Sequence, residues 1–142
     1  MPPRKAIQAC QIFVRLKSME ELSVITLTFE IYKKVATITT TVDKKYRFSI
    51  GESATTSCAS ILQELILAKH APKTYKATYL INAEAFAEIT ALKLRALLEL
   101  KLVNETNLLK IQAKLTEARR QMVAGTKAYL SSFLATSPQQ RH

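Results

Sequence analysis

Glycine and proline are scarce in this chain, and that scarcity constrains its fold more than any other feature. The 142 residues include two glycines and four prolines, and three of the prolines lie near the termini. Because few positions force a turn, long uninterrupted helices are favoured over strand-and-turn architectures. Hydrophobic residues make up 48% of the chain, which is too many for a disordered protein. A chain of this length is predicted to form one domain that buries most of its apolar surface without disulfides.

The first helix is predicted from about Ser18 to Val42. Ser18 is a suitable N-cap, and Glu20 and Glu21 follow it in the first turn, where acidic side chains complement the helix dipole. Apolar residues at helical spacing cover more than half of its circumference, which predicts burial on two sides. The stretch 35–42 is rich in β-branched residues and is also compatible with a strand. Helix is preferred because the 3.6-residue pattern runs through it without a turn signal.

A capping box predicts where the second helix begins. Ser49 is followed three residues later by Glu52, the spacing at which the two side chains cap each other's backbone N–H groups. This helix is predicted from about Ile50 to Lys69, because Pro72 prevents its continuation.

Two further helices are predicted in the second half of the chain. The third runs from about Thr74 to Leu102. The fourth begins at Asn104, whose side chain can cap it, and runs to about Leu134.

The predicted fold is therefore all-α, an up-down-up-down four-helix bundle over residues 18–134. Residues 1–17 are expected to form a basic tail and an anchoring segment, and residues 135–142 a flexible tail. The first and third helices carry more apolar circumference than a four-helix core needs. Because an exposed apolar face of that size marks an interface, we expect a cyclic homo-oligomer.

The charge of the chain points to a polyanionic partner. Lys and Arg number 21 against 11 acidic residues, which gives a formal charge of +10 and a pI near 9.8. So large a charge on a small domain favours binding to nucleic acid, although it also serves solubility.

Basic residues are concentrated around the predicted turn between the first two helices. In residues 33–47 five cations stand against one acid, Asp43. The loop between the third and fourth helices lies at the same end of an antiparallel bundle and brings Lys101 and Lys110 close. Lys110 and Lys114 are i,i+4 neighbours without compensation, a pair that needs water or an anion nearby. This end of the bundle is either a site for RNA or a solvated loop.

The chain carries few residues suited to catalysis or metal binding. Cys10 and Cys58 lack the spacing of a metal site or a redox pair, which predicts free thiols in a reducing compartment. The two histidines are isolated, and no phosphate loop or Ser/His/Asp set is recognisable, so we expect neither an enzyme nor a cofactor or metal. No apolar run is long enough to span a membrane, and the N-terminal apolar patch is a poor secretory signal. The expected location is the cytoplasm.

Three segments resemble a known family. RFSIG at 47–51 is similar to the basic-Phe-Ser/Thr-aliphatic-Gly segment of Avd, the accessory variability determinant of diversity-generating retroelements. KLRALLELKLV at 93–103 is similar to the Arg- and Leu-rich third helix of that family, and EARRQMVAG at 117–125 to its closing-helix segment. The chain departs from the family where Asp-Lys at 43–44 replaces a common Pro-Lys turn and where no Trp follows Gly125. The four-helix proteins of ribosomal intervening sequences share the same pattern.

This resemblance covers scattered positions of residues 13–130 and implies a pentameric barrel of four-helix bundles. It implies a non-catalytic accessory that binds the retroelement reverse transcriptase and its template RNA, with DNA as an alternative, and that supports mutagenic cDNA synthesis. The alternative function is a helical oligomeric scaffold of the ribosomal-intervening-sequence type without a retroelement role. Such a scaffold does not need a charge of +10, so salt-sensitive RNA binding separates the two. The residues proposed to bind nucleic acid or the polymerase are Lys33, Lys34, Lys44, Lys45, Arg47, Lys93, Arg95, Lys110, Lys114, Arg119 and Arg120.

Overall fold

A computed structural model describes the backbone of residues 4–135 and the side chains of residues 22–132. This part of the chain is helical and contains no strand. The elements are α1 (Arg4–Thr39), α2 (Lys44–Tyr46), a π-helical turn (Arg47–Gly51), α3 (Glu52–His70), α4 (Lys73–Glu99) and α5 (Glu105–Ala135). The tail predicted at 135–142 lies, apart from its first residue, outside the described residues.

The four long helices pack as a bundle. α1 contacts α3 and α5, and α4 contacts the same two helices, so α1 and α4 occupy diagonal positions. Because the connections at 40–43, 71–72 and 100–104 are short, successive long helices run antiparallel. Each of them contributes to one core, whose largest fully buried side chains include Ile31, Val35, Ile61, Leu94, Leu97, Leu108, Leu115 and Met122.

Large apolar side chains also remain exposed on all four long helices, including the two that are predicted to carry surplus apolar surface. On α1, Leu22 is 52% and Phe29 49% exposed, and on α4, Ile81 is 48% and Leu92 59% exposed. These side chains do not contribute to the core of the single chain.

α1 begins earlier than predicted. It starts at Arg4, so the prediction that Ser18 begins the helix is wrong, and most of residues 1–17 are helical. No glycine or proline interrupts residues 4–17, and adding a residue to an existing helix is far easier than nucleating a new one. The cap signal at Ser18 is therefore overridden. Helix rather than strand is confirmed for residues 35–39, although α1 ends at Thr39 instead of Val42.

Threonine hydroxyls occupy the carbonyls at the end of α1. Thr39 Oγ1 donates to Ala36 O at 3.0 Å, Thr40 Oγ1 to Thr37 O at 2.6 Å, and Thr41 Oγ1 to Ile38 O at 2.6 Å. The last carbonyls of a helix have no intrahelical partner, and Thr side chains bond readily to the backbone one turn before them. The threonine-rich stretch thus forms the end of this helix and the turn after it, and does not form a strand.

The predicted capping box does not form. Ser49 lies inside the π-helical turn, and its Oγ donates backward to Tyr46 O at 3.2 Å. The helical segment opens instead after Asp43, whose carbonyl accepts from the N–H groups of Tyr46 and Arg47. The prediction that Ser49 and Glu52 begin the second helix is wrong, so removing the Ser49 hydroxyl is expected to cost much less than a lost N-cap.

Two other predicted boundaries are confirmed. α3 ends at His70, just before Pro72, and Lys76 Nζ donates to the terminal carbonyl of Ala68 at 2.8 Å. At the start of α5, Asn104 Oδ1 accepts from the backbone N–H of Asn107 at 3.2 Å, which is the N-cap bond that the sequence predicts.

α4 ends in a Schellman motif with a lysine in the left-handed position. Lys101 has φ 57°, its N–H donates to Leu98 O, and the N–H of Leu102 donates to Leu97 O, both at 3.0 Å. Glycine is the usual residue at this position, because a side chain in the left-handed region costs about 1–2 kcal/mol.

Lys101→Gly is therefore expected to stabilise the protein by about 1 kcal/mol, since part of the relieved strain is offset by the greater freedom of glycine in the unfolded chain. Urea denaturation checks this. The matched control is Lys127→Gly at an exposed right-handed position of α5, which should destabilise by about 1 kcal/mol. Loss of stability in both variants would contradict the prediction.

Candidate nucleic-acid interface

Two adjoining depressions lie between α1 and α5 at the end of the bundle where the turns 40–43 and 100–104 meet. Their volumes are about 650 Å³ and about 410 Å³, and Lys34 and Thr37 line both. Glu30 is the one carboxylate among the lining residues. We call the two depressions together the lysine groove, because five lysines line them: Lys33, Lys34, Lys101, Lys110 and Lys114.

Helical spacing places these side chains on facing walls. Glu30, Lys33, Lys34 and Thr37 follow one face of α1 at i, i+3, i+4 and i+7, so they lie side by side. Asn107, Lys110 and Lys114 follow one face of α5 in the same way. This matched spacing on the first and last helices is the sequence signal that identifies the groove.

The cations of the groove interact with one another. Lys114 Nζ forms an ion pair with Glu30 Oε2 at 3.5 Å. A hydrogen bond that the Lys114 ammonium donates to the neutral amine of Lys34, together with the charge of that ammonium, lowers the pKa of Lys34, and Lys110 acts in the same direction. Like charges this close disfavour the doubly charged state. A bound anion would relieve that repulsion.

Lys33 has a further contact at the edge of the groove. Its Nζ lies 5.0 Å from the centroid of the Phe29 ring, within the range of a cation–π interaction. The exposed ring therefore positions a cation beside the smaller depression.

The basic residues that follow the turn after α1 do not line the lysine groove. Lys44 and Lys45 are exposed at the start of α2, at the same end as the groove but outside its lining. Lys45 Nζ lies 5.7 Å from the centroid of the Tyr46 ring. Arg47 is turned back toward the chain, where Nη2 donates to Thr40 O and Val42 O, both at 3.2 Å.

The remaining proposed residues on α4 do not belong to the groove. Lys93 Nζ donates to Ser57 Oγ at 2.6 Å and to Ser53 O at 3.2 Å, which ties α4 to α3. Arg95 forms an ion pair with Glu99 on its own helix at 3.0 Å. The structure thus places these two residues in contacts within the fold and outside the lining of the groove.

Arg119 and Arg120 lie farther along α5, outside the lining of the groove. Arg120 forms a bidentate pair with Glu117, at 2.9 Å and 2.5 Å. The hydrogen bonds from Arg120 and Gln121 lower the pKa of Glu117 to about 2. Arg120 lines a separate cavity of about 310 Å³, and its charge is matched by a carboxylate.

Cys58 is fully buried, and this burial raises the pKa of its thiol to about 12. Because the thiolate is the reactive species, Cys58 is a core residue and not a nucleophile. The side chain of Cys10 lies outside the described residues.

Alkylation at pH 8 should therefore label Cys58 only when the protein opens. Peptide mass spectrometry in the native state and in denaturant checks this, with the free thiol of glutathione as the control for reagent activity. Labelling of native Cys58 at the rate of glutathione would contradict the burial.

Two classes of feature are absent from the described part of the chain. Among residues whose side chains are described, no cluster of three or more His, Cys, Asp or Glu is arranged to hold a metal ion. No described helix combines the length and apolar character that crossing a membrane requires. A comparison with known protein families and with curated proteins finds no match to this chain.

Proposed function

We propose that this protein is a non-catalytic, basic accessory protein of a diversity-generating retroelement that binds the reverse transcriptase and its template RNA. The lysine groove is the observation that carries the proposal. Five lysines face one carboxylate there, so the groove carries a net positive charge, and affinity for nucleic acid comes largely from cations that displace counterions from phosphates. The resemblance of three segments to Avd supports the role in a retroelement and the expectation that the protein acts in the cytoplasm.

Assembly is part of the same proposal. The exposed apolar side chains of α1 and α4, among them Phe29 and Leu92, support a cyclic homo-oligomer, and the resemblance favours a pentamer. A ring would repeat the groove around one rim and so multiply the phosphate contacts along one RNA. Light scattering is expected to give a mass nearest five times 15.9 kDa, and a monodisperse monomer at micromolar concentration would overturn this part.

Two measurements test the proposed function. The protein should co-purify with a retroelement reverse transcriptase and raise cDNA synthesis from its template RNA. In isolation it should bind unrelated RNAs with similar affinity, and log affinity should fall linearly with log salt at about 0.7 per phosphate contacted. DNA of equal length tests the alternative nucleic acid.

A helical scaffold without a retroelement role is the second candidate function, favoured by the exposed apolar faces alone. It predicts oligomers that neither bind RNA in a salt-sensitive way nor associate with the polymerase.

A further inference from the structure

We infer that the larger depression of the lysine groove seats one unstacked nucleotide of a single RNA strand, with the phosphate on the lysines and the base over an apolar floor. This inference rests on the proposed RNA binding. It adds a preference for single strands over duplexes, which charge alone does not provide.

The floor of the depression is apolar. Ile38 and Ile111 belong to the core and are 7% and 3% exposed, while Leu102 and Val103 in the turn after α4 are half-buried. A phosphate gains no binding energy from contact with this surface, because burying apolar area is favourable only when the ligand also presents an apolar face. The faces of a nucleobase provide one.

The walls of the depression are polar. Lys34 on α1 and Lys110 on α5 are exposed on opposite sides. The side-chain amide of Asn107, on the wall of α5, makes no hydrogen bond with the described residues. An amide both donates and accepts, so it can pair with a donor and an acceptor on the edge of an unpaired base, whereas the ammonium groups only donate, which suits phosphate oxygens.

The size of the depression fits a nucleotide and excludes a helix of paired bases. Its volume of about 650 Å³ lies within the range of pockets that hold small molecules, roughly 300–1,000 Å³. In duplex RNA the bases are stacked and paired inside, so only the backbone and groove edges are available. A single strand can turn a base outward into the depression.

An acidic peptide is the competing occupant. Its carboxylates would form ion pairs with the lysines, but they have no apolar face to pack on the floor formed by Leu102 and Val103. The observations therefore favour a nucleotide, and a peptide is one outcome of the test.

The experiment compares the affinities of four probes by fluorescence anisotropy at several salt concentrations. The probes are a single-stranded RNA of about 12 nucleotides, within the usual site size, an abasic strand with the same number of phosphates, a duplex of equal length, and a polyglutamate peptide. The strand with bases is expected to bind about fivefold more tightly than the abasic strand, with the same salt slope. This is the lower end of the range for a base stacked on an aromatic ring, about 1–3 kcal/mol, because the floor here is aliphatic.

Variants locate the effect. Val103→Ser removes apolar floor and Asn107→Ala removes the amide at an exposed position, and each should shrink the difference between the two strands while leaving abasic binding unchanged. Leu67→Ser, at an exposed apolar position near the far end of α3, is the matched control and should alter neither. Circular dichroism verifies that each variant is folded.

The outcomes separate the two proposals. Equal affinity for the abasic strand and the strand with bases, tighter binding of duplex, or equal binding of polyglutamate would overturn the nucleotide site and leave salt-dependent binding of a polyanion intact. Absence of salt-dependent RNA binding would overturn the proposed function and this inference together.

Discussion

Replacing Lys34, Lys110 and Lys114 with Gln should weaken RNA binding about 10- to 100-fold at low salt. An exposed cation within contact distance of a phosphate gains about 1 kcal/mol in water, and three such contacts correspond to the upper end of this range. The slope of log affinity against log salt should decrease by up to about 2, because each phosphate contact with a single strand contributes about 0.7. Unrelated RNA sequences should lose affinity alike.

Stability should change little in the same variant. These side chains lie in a groove and not in the core, and only Lys114 has a carboxylate partner, Glu30 at 3.5 Å. Exposed ion pairs of this kind contribute little, with a median of about 0–1 kcal/mol, and removing Lys34 and Lys114 also removes a repulsive contact. The midpoint of urea denaturation is the measurement.

A variant with the same loss of charge at the other end of the bundle provides the control. Lys69, Lys73 and Lys127 are exposed and lie at the end of α3, the start of α4 and late in α5. Replacing all three with Gln lowers the net charge equally but should leave most of the affinity and slope in place. Equal losses in the two triple variants would show that RNA responds to overall charge and not to the lysine groove.

The helical architecture could be predicted from the sequence because its determinants are local. Pro72 prevents α3 from continuing because proline lacks a backbone N–H and disfavours helical conformation in the residue before it, and Asn104 caps α5 by accepting from the N–H of Asn107 three residues away. The apolar periodicity of each helix likewise depends only on its own residues. These features were confirmed.

The failures concern signals that depend on where the chain turns. Ser18 and Ser49 are both good N-caps in isolation, yet a cap forms only at a residue that leaves the helical conformation. The chain is already helical again after the turn at 40–43, so no helix begins at Ser49. Residues 4–17 contain nothing that stops α1, so no helix begins at Ser18 either.

The sequence predicts that the candidate site is built from basic residues, but it does not show which of the basic residues belong to it. Charge and spacing identified the lysines of α1 and α5, whose faces were set by helical geometry. Lys93 and Arg47 have the same charge, and only the packing of α4 on α3, or the fold of the turn, directs their side chains to carbonyl and hydroxyl oxygens. Such partners are distant in sequence or set by turn geometry, and no local pattern reveals them.

Arg47 is therefore expected to stabilise the fold, whereas the sequence predicts that it binds RNA. Its Nε and Nη2 both donate to Val42 O, at 3.3 Å and 3.2 Å, and Nη2 also donates to Thr40 O. These carbonyls belong to the turn that follows α1, where intrahelical donors have run out. Arg47→Gln should destabilise the protein by about 1–2 kcal/mol, less than the sum expected for buried bonds to a charged donor because the side chain is exposed.

Arg47→Lys separates the contribution of the hydrogen bonds from that of the charge. An ammonium group keeps the charge but cannot reproduce the planar guanidinium fork. We expect Arg47→Lys to lose about 1 kcal/mol of stability and to retain RNA affinity, while Lys44→Gln with Lys45→Gln should retain stability. If Arg47→Lys unfolded at the same urea concentration as the unchanged protein while Arg47→Gln lost RNA affinity, Arg47 would contact RNA, and its hydrogen bonds to the turn after α1 would not stabilise the fold.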